Sequence, residues 1–325
     1  MIAPEKLTKN LPEISRFHDA FIHTLGTFIV GNANLLELII IALLSEGHIL
    51  IEGVPGTAKT TIGKAVALAT NCQFDRIQGA VDLQPADLNG VRIYDQATRT
   101  FILRPGPIFT NILLADEINR INPKSQSAFI EAMSEQQATI DGVTYLLPNP
   151  FLVIATQNPY ELQGTFPLIE AQRDRFMFSL RAGHLGSDDE LDLVRRASNG
   201  KLDWKEFSKS INLNITKDNL LDMIQAVSTV HIEDPVLTYI RDIVMATREN
   251  GNIDLGASSR ASIAFIRGAR AKAAIANRTY VLPDDVKTLA NEILSHRIML
   301  SREAEVEGIQ PQDVIKEILE TIEVP

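Results

Sequence analysis

The run Gly53-Val54-Pro55-Gly56-Thr57-Ala58-Lys59-Thr60 lies between an apolar stretch at residues 49–51 and a helix-like stretch at residues 61–70. Glycines let successive backbone N–H groups curl around a phosphate, and a following helix adds the partial positive charge of its first turn. A lysine at this spacing reaches β- and γ-phosphates, and the hydroxyl after it can ligate Mg²⁺. The expected binders of a nucleoside triphosphate are therefore Gly53, Val54, Pro55, Gly56, Thr57, Ala58, Lys59, Thr60 and Thr61, with Thr60 also a metal ligand. Ala58 stands where the common pattern has a second glycine; an alanine fits if that residue already has helical φ. A glycine-rich turn with a surface lysine is the competing reading, and the strand–loop–helix setting disfavours it.

The run Ile112-Leu113-Leu114-Ala115-Asp116-Glu117 supplies the acids that hydrolysis needs. Its apolar part predicts a buried strand that ends at the two carboxylates, where open α/β sheets bind their ligands. Asp116 is expected to hold Mg²⁺, directly or through water, alongside Thr60. Glu117 would orient and deprotonate the attacking water, a contribution of about 10²–10⁴-fold in rate. Another apolar run, residues 151–155, leads to Thr156-Gln157-Asn158-Pro159; Asn158 either bonds the water or γ-phosphate or simply forms a turn. In Gln172-Arg173-Asp174-Arg175-Phe176 an arginine either pairs with Asp174 or reaches a neighbouring subunit's γ-phosphate. Arg260 opens a helix at Gly256-Ala257-Ser258-Ser259-Arg260-Ala261, a position unfavourable to the helix dipole that calls for an anionic partner. The γ-phosphate is the candidate.

These side chains need a scaffold, and the alternation of apolar runs with helical stretches provides one. Strands are expected at residues 48–52, 73–77, 112–115, 151–155 and 176–180, forming a doubly wound parallel five-stranded sheet. A hairpin is expected to be inserted near residues 91–103 and a second around Asp141-Gly142. After about Gly186 the pattern changes to helices without strands, giving an α/β core over residues 1–185 and a helical lid over 186–325. Ser187-Asp188-Asp189-Glu190 reads as a capping box. Helices are expected from Asp234-Pro235, from Pro283 through Leu294, and over residues 314–322, their apolar stripes being core packing.

The 325 residues carry a formal charge of −10, which argues against general affinity for nucleic acid. Cys72 is the only cysteine, so no intrachain disulfide forms and a reducing cytoplasmic location is expected. The most apolar run, residues 35–44, is about half the length of a membrane span.

Taken together, these motifs resemble an AAA+ ATPase, and within that superfamily the MoxR family. The likeness runs from Phe28-Ile29-Val30-Gly31 to Leu282-Pro283-Asp284-Asp285-Val286, and Ala58 is usual in that family. The resemblance implies that Lys59 and Thr60 are Walker A, Asp116 and Glu117 Walker B, Asn158 sensor 1 and Arg260 sensor 2. It implies Arg175 as the trans-acting finger, with Arg173 the second choice, and an adenine pocket at Val30 and Gly31. It also implies a hexameric ring, separate von Willebrand factor A domain partners and chaperone-like remodelling of client complexes. A magnesium-chelatase-like subunit and a nucleic-acid motor of the minichromosome-maintenance branch are the alternatives; the motor fits poorly, because the 91–103 hairpin carries only Arg92 and Arg99 as bases.

Overall fold

The computed structural model describes residues 4–53, 59–158 and 164–325. Val54, Pro55, Gly56, Thr57 and Ala58 of the phosphate-loop motif lie outside them, as does Pro159. Helices α1 (Pro4–Gly26) and α2 (Ala33–Leu44) come first, then β1 (Ile49–Gly53), α3 (Lys59–Ala69) and β2 (Phe74–Gln78). A short α4 (Pro85–Asn89) precedes the hairpin β3 (Gly90–Asp95) and β4 (Thr100–Pro105). There follow β5 (Ile112–Asp116), α5 (Pro123–Glu135), the hairpin β6 (Gln137–Ile140) and β7 (Val143–Leu146), β8 (Leu152–Gln157), α6 (Glu170–Arg173) and β9 (Phe178–Ala182).

Five of these strands form one sheet in the order β2-β5-β8-β1-β9, every neighbouring pair parallel. Helices cover both faces, so the central strands are apolar at consecutive positions rather than at alternate ones. Ile49 and Ile51, Ile112 and Leu114, and Leu152 and Ile154 face the core that α1, α2 and α3 share with the C-terminal helices. Leu50, Leu113, Ala115, Val153 and Ala155 face the second core, under α5. The doubly wound five-stranded sheet is thus as expected, and both hairpins form.

The remaining chain is α7 (Ser187–Ser198), α8 (Trp204–Ser210), α9 (Lys217–Ser228), α10 (Asp234–Glu249), β10 (Ile253–Leu255), α11 (Ser259–Ile275), α12 (Pro283–Lys287), α13 (Ala290–Leu294), β11 (Met299–Leu300), α14 (Arg302–Val306) and α15 (Pro311–Thr321). Three local expectations are corrected here. The lid is not free of strands, because β10 and β11 pair antiparallel. The helix expected from Pro283 to Leu294 is two, since Thr288 and Leu289 form a turn between them in which the Leu289 N–H bonds Val286 three residues back. Ser187 does not cap α7: Gly186 is its N-cap and no side chain caps it. The α11 start is capped as its sequence suggests, with Ser258 accepting the Arg260 N–H.

Buried His48, just before β1, pins three elements. Its Nε2 donates to the Met133 carbonyl of α5 at 3.0 Å, its Nδ1 accepts the Val153 N–H at 3.1 Å, and its carbonyl accepts from Met177. Burial pushes its pKa down to about 4, opposed by the bond to Met133 and assisted by Arg267. A neutral imidazole in the fold and an ordinary one in the unfolded chain contribute stability above pH ~6.5, lost as the pH falls towards 4. Burial moves His296 in the same direction. The urea midpoint should therefore drop between pH 6.5 and 4, more steeply in the native protein than in His48→Gln; equal slopes would remove His48 from this account.

Candidate active site

The carboxyl ends of the parallel strands gather Lys59, Asp116 and Glu117. Lys59 opens α3 and its Nζ donates to the Gly53 carbonyl at 3.1 Å, so the ammonium lies against the end of β1. Burial pushes the Lys59 pKa below the ordinary lysine value, while Asp116 and Glu117 pull it back up. Thr60 and Thr61 follow half-buried in the same first turn.

Two strands away, Asp116 ends β5. Its Oδ1 accepts from Thr156 Oγ1 at 2.6 Å and its Oδ2 from Arg76 Nη2 at 2.7 Å. Thr156 also accepts the Glu117 N–H at 2.9 Å, so one hydroxyl near the end of β8 fixes both acidic positions. Sequence reasoning treated Thr156 only as the lead-in to Asn158. The available signal was a lone hydroxyl one residue before the end of a fully apolar strand.

Glu117 is held in a left-handed backbone conformation, φ 54°, which a non-glycine residue adopts only when its surroundings impose it. The imposing contact is Gly79, whose N–H donates to the Asp116 carbonyl at 2.7 Å. A Cβ on Gly79 would lie 2.0 Å from the Glu117 carbonyl oxygen, so only glycine allows the approach. The Glu117 carboxylate then meets Arg120 Nη1 at 3.2 Å. Asn158 is buried just past β8, and its carbonyl accepts from Asn119.

A cavity of about 650 Å³ lies beside the end of β9, lined by Ile29, Val30, Gly31, Leu180, Leu185 and Asp189 among others. Gly31 has φ +69°, and a Cβ there would come within 2.5 Å of Leu185 and 2.9 Å of the Asp189 carboxylate. Val30 and Gly31, which the resemblance assigns to adenine, thus line a mostly apolar space at the carboxyl end of β9.

The arginines lie at the other end. Asp174, Arg175 and Met177 precede β9, and Glu46, Gly47 and His48 precede β1, so all six sit at the strands' amino ends. A second cavity of about 650 Å³ opens there, with Arg175, Arg260, Arg267 and Arg297 in its wall. Arg175 Nε donates to Ser134 Oγ at 2.8 Å, and its Nη1 donates to the Ala171 carbonyl at 2.6 Å. The anionic partner that Arg260 calls for is Asp174, at 3.2 Å. Asp174 also accepts Ser258 Oγ at 2.8 Å and Arg297 Nε at 3.0 Å. Arg297 is buried and further donates to the carbonyls of Phe176, Met177 and Ile293. Asp174 therefore ties the start of α11 and the chain after α13 to the sheet.

A five-residue strand spans about 13–16 Å, and Arg260 and Lys59 lie past opposite ends of such strands. Arg260 therefore stands beside Asp174, away from Lys59 of its own chain. Arg173 points differently from Arg175: its Nη2 lies 3.7 Å from Glu52 near the end of β1.

The chain matches the family model for ATPases associated with various cellular activities (AAA) over residues 48–178, and that for the AAA lid domain over residues 245–318. Chaperone MoxR1 of Mycobacterium tuberculosis is 38% identical, the match covering 91% of this chain and 79% of that protein. The chain belongs to the MoxR family of AAA+ ATPases. The uncharacterized protein YeaC of Bacillus subtilis is 44% identical over 91% of both chains. A solved structure from Cytophaga hutchinsonii matches with a TM-score of 0.88 at 40% identity, covering 98% of this chain and 97% of that one. AAA+ ATPases bind nucleotide and are typically oligomeric. Among the described residues no helix is long and apolar enough to cross a membrane.

Proposed function

We propose that this MoxR-family chain hydrolyses ATP with Mg²⁺ at the interfaces of a hexameric ring. The observation that carries the reading is the separation of the two half-sites. Lys59, Asp116 and Glu117 stand at the strands' carboxyl ends, whereas Arg175 and Arg260 line a cavity at the amino ends. Head-to-tail packing of subunits brings one chain's arginines to the next chain's triphosphate, and such heterologous contacts close into rings. In this reading Arg175 is the finger and Arg260 a second trans-acting cation, while Asn158 orients the water; Arg173, paired with Glu52, is set aside. Among the described residues no group of three or more His, Cys, Asp and Glu side chains could hold a metal. The Thr60 hydroxyl and Asp116 carboxylate are instead hard oxygen donors that suit Mg²⁺ completed by phosphate oxygens and water. Bound there, the ion would neutralise charge on the β- and γ-phosphates. Lys59 holds the same oxygens, and Glu117 takes the proton of the attacking water.

The work done is proposed to be chaperone-like remodelling of client complexes in the cytoplasm, with a separate von Willebrand factor A domain protein as partner. The β3–β4 hairpin supports a protein client: Ile93, Tyr94, Phe101 and Ile102 are exposed, and Arg92 lies over the Phe101 ring rather than free for a phosphate backbone. A phosphate-release assay tests the hydrolytic reading. The native protein should release phosphate from ATP only with Mg²⁺, and Lys59→Ala should weaken ATP binding about 10–100-fold, the value of hydrogen bonds to charged groups. Metal-independent release, or unchanged binding by Lys59→Ala, would remove this assignment.

A further inference from the structure

We propose that Arg76 is a positioning residue that stands in for the divalent cation on Asp116 and gives way when the metal binds. The inference rests on the proposed Mg²⁺–ATP reading and concerns a side chain that nothing in the motif pattern marks.

The geometry is specific. Arg76 is exposed on β2, which is an edge strand of the sheet, and it lies in register opposite Leu114, two residues before Asp116. Arg76 and Asp116 project from the same sheet face as Phe74 and Leu114, the face that α3 covers. Arg76 Nη2 reaches Asp116 Oδ2 at 2.7 Å and also contacts Gln78 Oε1. The other Asp116 oxygen is taken by Thr156. Both carboxylate oxygens are thereby satisfied by side chains, and the Oδ2 lone pairs that a metal needs are shared with a guanidinium. The Asp116 side chain is 19% exposed and that of Arg76 41%, so the ion pair is partly screened and exchangeable.

Two consequences follow from charge alone. Without metal, an unneutralised Asp116 would repel the triphosphate beside Lys59, and Arg76 suppresses that repulsion. With metal, a second cation on one carboxylate is opposed by the first, so Arg76 competes with Mg²⁺ and must withdraw to Gln78 Oε1. Arg76 therefore raises metal-free affinity for ATP and reduces the gain that Mg²⁺ brings.

The test is the dissociation constant of the full chain for a fluorescent ATP analogue, measured in EDTA and in saturating Mg²⁺. In Arg76→Ala the ratio of the EDTA value to the Mg²⁺ value should rise about fivefold or more, as expected for loss of a partly exposed charge pair. Arg76→Lys keeps the charge and should stay within twofold of the native ratio. A ratio within twofold in Arg76→Ala, or an equal rise in Arg76→Lys, overturns the proposal while leaving the nucleotide site standing. A native chain whose binding does not respond to Mg²⁺ would sink the Mg²⁺–ATP reading and this inference with it. Because the readout is binding, a change in turnover alone cannot imitate it.

Discussion

Arg175→Ala should lower ATP turnover about 10³–10⁵-fold, the contribution of an arginine finger where one operates, and leave ATP binding by the same chain unchanged. The side chain is held for that role by two neutral acceptors, Ser134 Oγ and the Ala171 carbonyl, and it makes no ion pair among the described residues. It lines a cavity at the sheet's amino ends. In the proposed reading the nucleotide lies past the carboxyl ends, so removing Arg175 should leave the phosphate contacts of its own chain in place. Mixing subunits separates a trans role from a folding defect. Arg175→Ala chains retain Glu117, and Glu117→Gln chains retain Arg175, so mixed rings contain interfaces with both groups intact. Turnover should reappear on mixing two inactive preparations. Arg260 should behave in the same way, because its partner Asp174 is still compensated by Arg297 and Ser258 when Arg260 leaves. If Arg175→Ala loses ATP binding in its own chain, or mixing restores nothing, the interface reading fails.

The carboxyl-end half of this site was legible in the sequence because it is local. Gly53 to Thr61 and Asp116-Glu117 are contiguous runs whose flanking apolar residues reveal strands, and a parallel strand's end fixes where its last side chain goes. The central strands were readable because burial on both faces makes them apolar at consecutive positions, as in Ile112-Leu113-Leu114-Ala115. What stayed hidden depends on contacts between residues far apart in sequence. Thr156 lies 39 or 40 residues from the acids it fixes, and Arg76 is 40 residues from Asp116. The destination of Arg260 was hidden for the same reason: its helix docks through Ser258 on Asp174, 84 residues away. The dipole argument correctly demanded an anion for Arg260, but no periodicity states which end of the sheet α11 meets. The break at Lys287 likewise escapes a reading based on apolar spacing, since Val286, Leu289, Ile293 and Leu294 remain buried on both sides of it.

Glu117→Gln should bind ATP with native affinity yet hydrolyse it about 10²–10⁴-fold more slowly, the range for a positioned general base. Non-glycine residues avoid positive φ, and keeping one there costs about 1–3 kcal/mol. Here that conformation is fixed by the Gly79 approach below it and by the Thr156 hydroxyl on its N–H. Neither contact involves the carboxylate, so glutamine inherits the geometry. It also retains an oxygen for Arg120, whose half-buried contact with Glu117 can therefore persist. What glutamine cannot do is accept a proton from water. The variant should therefore keep a native urea midpoint and accumulate bound, uncleaved ATP, a combination that neither misfolding nor loss of phosphate binding produces. Gly79→Ala supplies the complementary case: a Cβ 2.0 Å from the Glu117 carbonyl must displace that residue, so turnover should fall although every polar side chain of the site remains. Native turnover in Glu117→Gln would transfer the base to another group, and the constrained backbone at residue 117 would lose its catalytic explanation.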